Sequence, residues 1–379
     1  MTGERPVRGG DPGRILAIDV GAGTQDILIY EPGQTPENLV KLILPSRTRV
    51  VGRQVAAVTR AGRPLHLDGT LMGGGASSDA IRTHLAAGLP VSATPSAART
   101  IHNDPARVVD LGVTIREGEA SPGADTVTLG DLDLPALAEA LAPFGVSLPE
   151  TVAVAVQDHG YRPGAGNNDV RFAYLQGIID AGGDLDGLLS AEPSPEMTRM
   201  AAVTGAVPGA LVMDTGAAAV LGILEDPRVR DAAAGDGAVL INVGNMHTFA
   251  VLVHGRRVVG LFEHHTSGIS VAIVTGLVAR LRAGTLTHES FRREFDGHGA
   301  ALDPAYRSLG RFETVAVTGP HRGILRGLGF IEAVPHGDMM LAGPFGLVAA
   351  LRRRVNGAPH VTTPEESAGC GTRPPLARP

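Results

Sequence analysis

The sequence predicts an α/β protein of two lobes, and three observations predict it. Strand-like and helix-like runs alternate along the chain. One passage, a strand that stops at a glycine turn and comes back as a second strand, occurs twice. A polar break, EDPRVRDAAAGDG, separates two halves of different style, with a boundary near Asp236. The length of 379 residues suits two or three domains. With 43% hydrophobic but only 3% aromatic residues and no Trp, the core has to be built from aliphatic side chains and Ala. The 51 Gly and 27 Pro follow no period, which excludes a collagen-like or low-complexity chain.

Taken in order, residues 1–13 read as a loose tail of Gly, Pro and charge. RILAIDV (Arg14–Val20), QDILIY (Gln25–Tyr30) and LVKLILP (Leu39–Pro45) are short buried-strand runs, the first two joined as a hairpin. An insertion of about 46–150 follows, with a serine-capped helix over Ser77–Leu89, a strand in RVVDLGVTI and an amphipathic helix over Leu134–Gly145. TVAVAV (Thr151–Val156) is a buried strand, followed by a Gly/Asn-rich loop over Arg162–Asn168 and a helix through Phe172–Ile179. ALVMD leads into the small-residue helix GAAAVLGIL, which closes a first lobe of 14–236. The second lobe, 237–334, opens with AVLINV, HTFAVLVHG and RRVVGLFE, has helices through Ile269–Arg282 and His288–Phe295, and ends in the strand VAVTG. HGDMMLAGPFGLVAALRRR reads as one helix, whose 335–355 segment returns to the first lobe, and 356–379 reads as a second tail.

Charge and composition narrow the function. The net charge is −6, and of the 33 basic residues only Lys41 is a lysine. The arginines are scattered apart from Arg352–Arg354, so there is neither a basic face nor a set of aromatic platforms for nucleic acid. One cysteine, Cys370, allows no internal disulfide and no cysteine-based zinc or iron–sulfur site. No apolar run reaches about 18 residues, the minimum for a membrane-crossing helix. The polar start carries no secretory signal, so the chain is expected in the cytoplasm.

The strongest local signal is AIDVGAGTQDILIY. A strand delivers Asp19 to a turn containing Gly21 and Gly23, and Thr24 and Gln25 begin the returning strand. Glycines let backbone N–H groups face an anion without a Cβ in the way, Thr24 adds a hydroxyl, and Asp19 suits a hydrated magnesium ion. An ordinary glycine hairpin would look the same. LINVGNMHTFAVLVHG repeats the grammar with Gly244, Asn245 and Thr248, and two such hairpins, one opening each lobe, would face each other across a cleft.

This order of motifs resembles the actin, sugar-kinase and heat-shock-chaperone ATPase superfamily. DVGAGTQD resembles its first phosphate loop and INVGNMHTF its second; VMDTGAAAVLGIL resembles its connecting helix, VAVTGPHRGIL its adenosine motif, and DMMLAGPFGLVAAL its final helix. The resemblance runs from about Arg14 to Arg354 and implies a two-lobed actin-like (ribonuclease H-like) fold with a nucleotide cleft between the lobes. It implies ATP and Mg2+ as cofactors, phosphoryl transfer to a small or protein acceptor or slow hydrolysis as the activity, and a nucleotide-driven switch or assembly protein as the alternative. Asp19 and Asp214 would hold magnesium. Gly21, Gly23, Thr24 and Gln25 would bind phosphate from one side, and Gly244, Asn245 and Thr248 from the other. Gly319 would lie beneath the adenosine. In the superfamily the second loop begins with aspartate, whereas here it begins with Asn242, which can neither take a proton nor neutralise a metal. VQDHG, NDPARVVDLGV and VMDTGAAA together resemble the domain-of-unknown-function 1786 family, whose label points to a radical activating enzyme. Such an enzyme needs three closely spaced cysteines for its cluster, so that chemistry is rejected for this sequence.

Three further passages invite a role. Asp158 and His159 end a buried strand, where open α/β sheets place ligands, and read as a general base and a proton shuttle. The competing reading makes Asp158 the cap of a following segment. Glu263-His264-His265 suggests a metal, but adjacent residues on a strand point to opposite faces, so this turn is expected to approach the nucleotide instead. MGGGASSD reads as a mobile loop or as an anion site at a helix start.

Overall fold

A computed structural model describes residues 12–295 and 298–356. The two tails expected from sequence, and Cys370, lie outside the described residues apart from positions 12, 13 and 356. In chain order, β1 (Ile15–Val20), β2 (Thr24–Tyr30) and β3 (Val40–Pro45) form an antiparallel meander. The insertion then folds as a separate small α/β unit. Its elements are α1 (Arg47–Arg60), β4 (Leu65–Gly69), α2 (Ala76–Ala86), β5 (Val91–Ala93), α3 (Pro95–Ala98), α4 (Pro105–Asp110), β6 (Val113–Ile115) and β7 (Asp125–Leu129), after which α5 (Leu134–Leu141) packs its Leu137 and Leu141 into the core of the first sheet. The strands of the small unit are all parallel, in the order β6-β5-β4-β7, around an apolar core that includes Val51, Leu67, Ile81 and Val127. RVVDLGVTI, expected as one strand, is divided. Asp104 caps the helix α4, and only the end of the run enters the sheet.

The chain returns to the first sheet with β8 (Thr151–Val156), crosses over through α6 (Asn167–Asp180) and α7 (Thr198–Ala206), and adds β9 (Leu211–Asp214). Two helices, α8 (Thr215–Ile223) and α9 (Pro227–Ala234), follow, so the polar break carries a helix capped by Asp226. The second lobe repeats the first. It contains β10 (Ala238–Val243), β11 (His247–His254), β12 (Arg257–His265), α10 (Val271–Ala283), α11 (His288–Glu294), β13 (Gly299–Leu302), β14 (Thr314–Thr318) and β15 (Ile331–Glu332). The first sheet runs β3-β2-β1-β8-β9, and the second opens with the same arrangement, β12-β11-β10-β14-β15, with β13 added at its edge. In both, a three-stranded meander is extended by parallel strands beside its first member.

The final helix, α12 (Ala342–Val355), starts later than expected, because residues 335–341 form short 3-10 turns instead. It packs on the first sheet, against α8 and β1. Small residues make that approach possible: a Cβ on Gly346 would stand 1.9 Å from the Ala218 carbonyl oxygen, and one on Gly222 1.8 Å from that of Ala342. This explains the small-residue composition of GAAAVLGIL. Gly346→Ala is therefore expected to destabilise the fold by roughly 1–3 kcal/mol, the usual cost of overpacking a core. A denaturant midpoint equal to the parent's would show that the two helices separate freely.

Candidate functional site

The two hairpins are built alike down to one hydrogen bond. In the first, the Gly21 amide donates to the Thr24 carbonyl at 2.9 Å; in the second, the Gly244 amide donates to the His247 carbonyl at 2.9 Å. Val20 pairs with Gln25 as Val243 pairs with Thr248. Asp19 thus corresponds to Asn242, and Thr24 to His247. The sequence-level match of Thr24 with Thr248 is one residue out of register, and on a strand a shift of one residue changes the face. Thr248 is buried, with its hydroxyl against that of Thr266, and Gln25 donates to the Pro45 carbonyl.

Both turns line one cleft of about 460 Å³. Asp19, Gly21, Thr24, Gly244, Asn245, Gly319, Asp158 and His159 all line it. Gly23 does not, because the Asn245 side chain covers it; a Cβ there would lie 2.5 Å from that side-chain nitrogen. The insertion closes one side with Gly73–Gly75 and Arg99–Asn103. Gly73–Gly75 is tied down: the Gly73 amide donates to Asp131, and Thr48 and Ser77 donate to the Gly74 carbonyl.

Asp19 sits between the first turns of α8 and α12. It accepts a bond from the Thr215 hydroxyl at 2.6 Å, and only a glycine fits at 343, where a Cβ would be 2.1 Å from the carboxylate. Burial drives its pKa up to about 7. Cross-strand pairing puts Asp26 directly opposite on the same cleft wall, and burial drives that carboxyl up to about 8. Its Oδ1 has no hydrogen-bond partner among the described residues. Two oxygen-bearing side chains with an unused buried oxygen suit a hard cation such as magnesium. The sequence reading did not single out Asp26, although counting the hairpin register from Val20 and Gln25 would have found it.

Asp214 is placed differently from expectation. It caps α8 through the Gly216 amide, and Arg171 bonds both its oxygens, at 2.7 and 3.3 Å, so it does not line the cleft. Arg171 is 2% exposed, donates to Glu263 at 2.7 Å, and donates to the Asp158 carbonyl. Burial opposes its charge, but the Asp214 and Glu263 carboxylates outweigh that and hold its pKa above the ordinary value. Asp158 is corrected from general base to cap. Its Oδ1 accepts from the Gly160 amide, and its Oδ2 accepts from the amides of Arg199 and Met200 at the start of α7. Burial raises its pKa. Arg199 in turn grips Asp131 of the insertion with two bonds, at 2.7 and 2.8 Å. His159 and His247 are neutral near pH 7, burial having lowered each to about 4. In contrast to Arg171 and Arg199, the half-buried Arg99 has no side-chain partner among the described residues.

The duplicated sheets and the cleft lined by both hairpins define a two-lobed α/β fold. The chain belongs to the family described as "Putative pyruvate format-lyase activating enzyme (DUF1786)", whose model matches residues 72–324. Among solved structures it is similar to a PilM–PilN type IV pilus biogenesis complex, with 12% identity over 91% of this chain and 99% of that one and a TM-score of 0.39. It is also similar to the ethanolamine utilization protein EutJ from Carboxydothermus hydrogenoformans, with 11% identity over 90% and 91% and a TM-score of 0.31. None of the curated proteins has a matching sequence. No helix among the described residues is long and apolar enough to cross a membrane.

Proposed function

We propose that the protein binds ATP with magnesium between its lobes and transfers the γ-phosphoryl group to a small anionic acceptor, releasing ADP. The observation that supports nucleotide binding is the pair of equivalent glycine turns lining one cleft. Asp19 and Asp26 form the magnesium side, and Gly319 with Met339 and Met340 forms the adenosine side. Magnesium, when bound, would neutralise phosphate charge, and the protein's own share is largely positioning.

The acceptor class follows from which groups are free. Asp158, Asp214, Asp131 and Glu263 are all engaged by amides or guanidinium groups, Asn242 is no base, and imidazoles with pKa values near 4 are weak ones. A hydroxyl acceptor would need its proton removed. A carboxylate or phosphate acceptor has no proton to lose and needs only a cation to hold it, which Arg99 supplies from the cleft lining. Arg99→Ala is expected to raise the acceptor KM by roughly 10- to 150-fold, the range for a lost hydrogen bond to a charged group, and to leave ATP affinity unchanged. Calorimetry with ATP, followed by ADP release in the presence of pooled carboxylates and phosphates, tests both parts. No heat of ATP binding up to millimolar nucleotide would end the nucleotide reading. Tight binding with no acceptor-stimulated release would favour a switch, a reading that the buried Arg171–Glu263 pair supports by joining the lobes.

A further inference from the structure

The second hairpin carries a group of side chains that nucleotide binding does not use. His247 opens β11, and its cross-strand partner is His265 at the end of β12. Directly opposite residues share a face, so both rings lie on the same side of the sheet, which is also the side of Glu263. His298 directly precedes β13, whose first residue, Gly299, is the partner of Glu263. His264 points the other way, into Phe291 and Phe295. The adjacent pair in the sequence is thus split, and His265 joins two histidines that are distant along the chain.

We propose that His247, His265 and His298 form a binding site for a transition-metal ion of the zinc class. One ring nitrogen from each lies within 4.8 Å of the others. The ring centroids are 4.1 Å apart for His265 and His298, 4.8 Å for His247 and His298, and 5.4 Å for His247 and His265. Zinc binds imidazole nitrogen at about 2.0–2.1 Å, which sets tetrahedral ligand atoms about 3.4 Å apart, so small ring rotations complete the set. The independent observation is His298 itself. It is 1% exposed, and neither of its ring nitrogens has a hydrogen-bond partner among the described residues. An imidazole buried in this way forgoes its hydrogen bonds with water, and a metal ion would use one of those nitrogens.

The surroundings favour a cation. A carboxylate oxygen of Glu263 is 3.9 Å from Nδ1 of His247 and 4.0 Å from Nδ1 of His298. That carboxylate is itself paired with the Arg171 guanidinium at 2.7 Å, which fixes its position. Three imidazoles leave a fourth position for water or a ligand oxygen. His247 and Glu263 line the cleft, so that position lies at its wall, beside the second glycine turn. The proposal does not depend on the nucleotide reading.

The test uses the untagged full-length chain, with Zn2+ followed by calorimetry and Co2+ by its visible absorption. One ion per chain and the d–d bands of four-coordinate Co2+ are expected. Losing even an outer-shell partner of a metal site costs 10- to 100-fold in affinity, so His265→Ala, an exposed change, should lower affinity at least tenfold with the far-UV circular dichroism unaltered. His247→Ala should do the same, and Cys370→Ser should change nothing. Absence of saturable Zn2+ and Co2+ binding would overturn the proposal. So would binding that survives both histidine variants, or that Cys370→Ser abolishes.

Discussion

Arg171→Met is expected to be the most damaging single substitution in the described core. It would leave the Asp214 and Glu263 carboxylates buried without their partner, and breaking a buried ion pair from one side costs about 3–5 kcal/mol. That is a large share of the 5–15 kcal/mol that holds a typical protein folded. The thermal midpoint should fall by on the order of 10 °C. The loss should come from the unpaired charges rather than from the missing side chain. The triple variant Arg171→Met/Asp214→Asn/Glu263→Gln should therefore recover most of the stability.

The same triad sets a pH dependence in the parent. Burial alone would raise the Glu263 pKa, but Arg171 outweighs it and holds the group at about 2, against an ordinary 4.5. A depressed carboxylate stabilises the fold above its unfolded pKa. That contribution is lost as the pH falls from about 4.5 towards 2. Arg171→Met should abolish this acid-side loss and give a protein that gains relative stability on acidification. Thermal scans from pH 3 to pH 8 decide the matter. A variant as stable as the parent, or a triple variant worse than the single one, would show that the triad does not join the lobes as described.

The second large effect is expected at Asp19. Burial lifts its folded pKa to about 7, above the ordinary 3.8, so the sign is opposite to that of Glu263. The folded state holds the proton more tightly. The resulting stabilisation is complete below about pH 4 and is lost as the pH rises through 7. The shift corresponds to at most about 4 kcal/mol. Asp26 adds a loss in the same direction up to about pH 8. Asp19→Asn should therefore flatten the decline between pH 4 and 8 and make the ligand-free protein more stable than the parent at pH 8. The price should appear in ligand binding. Magnesium would displace the proton, so the parent's affinity for magnesium–ATP should rise with pH through 7. The variant should lose that rise together with about 1–3 kcal/mol of binding, the scale of a lost charged contact. Urea midpoints at pH 5 and pH 8, with calorimetry at both, measure the two sides. A variant less stable than the parent at pH 8 would show that Asp19 is held by stabilising bonds rather than exposed to a burial penalty.

Much of the architecture was legible because it rests on local patterns. Buried-strand runs marked all five strands of the first sheet, and the repeated strand–glycine–strand passage marked the opening of each lobe. Asp19, Gly21, Thr24, Gly244, Asn245 and Gly319 were found because glycine turns at strand ends announce themselves by composition, and all six line the cleft. Boundaries were less legible where capping won over apolar pattern. Asp104 turned half of a strand-like run into α4, and Asp226 put a helix into the polar break.

The sequence by itself determined two lobes, each opened by a copy of the same hairpin. Tertiary structure alone decided which carboxylates remain available. Asp158 and Asp214 looked like catalytic candidates at strand ends, yet amides that belong to α7 and α8, and a guanidinium 43 residues from Asp214, occupy their oxygens. It also decided that Asp26 faces Asp19, that Arg99 of the insertion enters the cleft, and that His298 meets His247 and His265. The reason is physical. Local sequence fixes turns, caps and periodicity, whereas the charge state and reach of a side chain depend on burial and on partners supplied by strands and helices far along the chain.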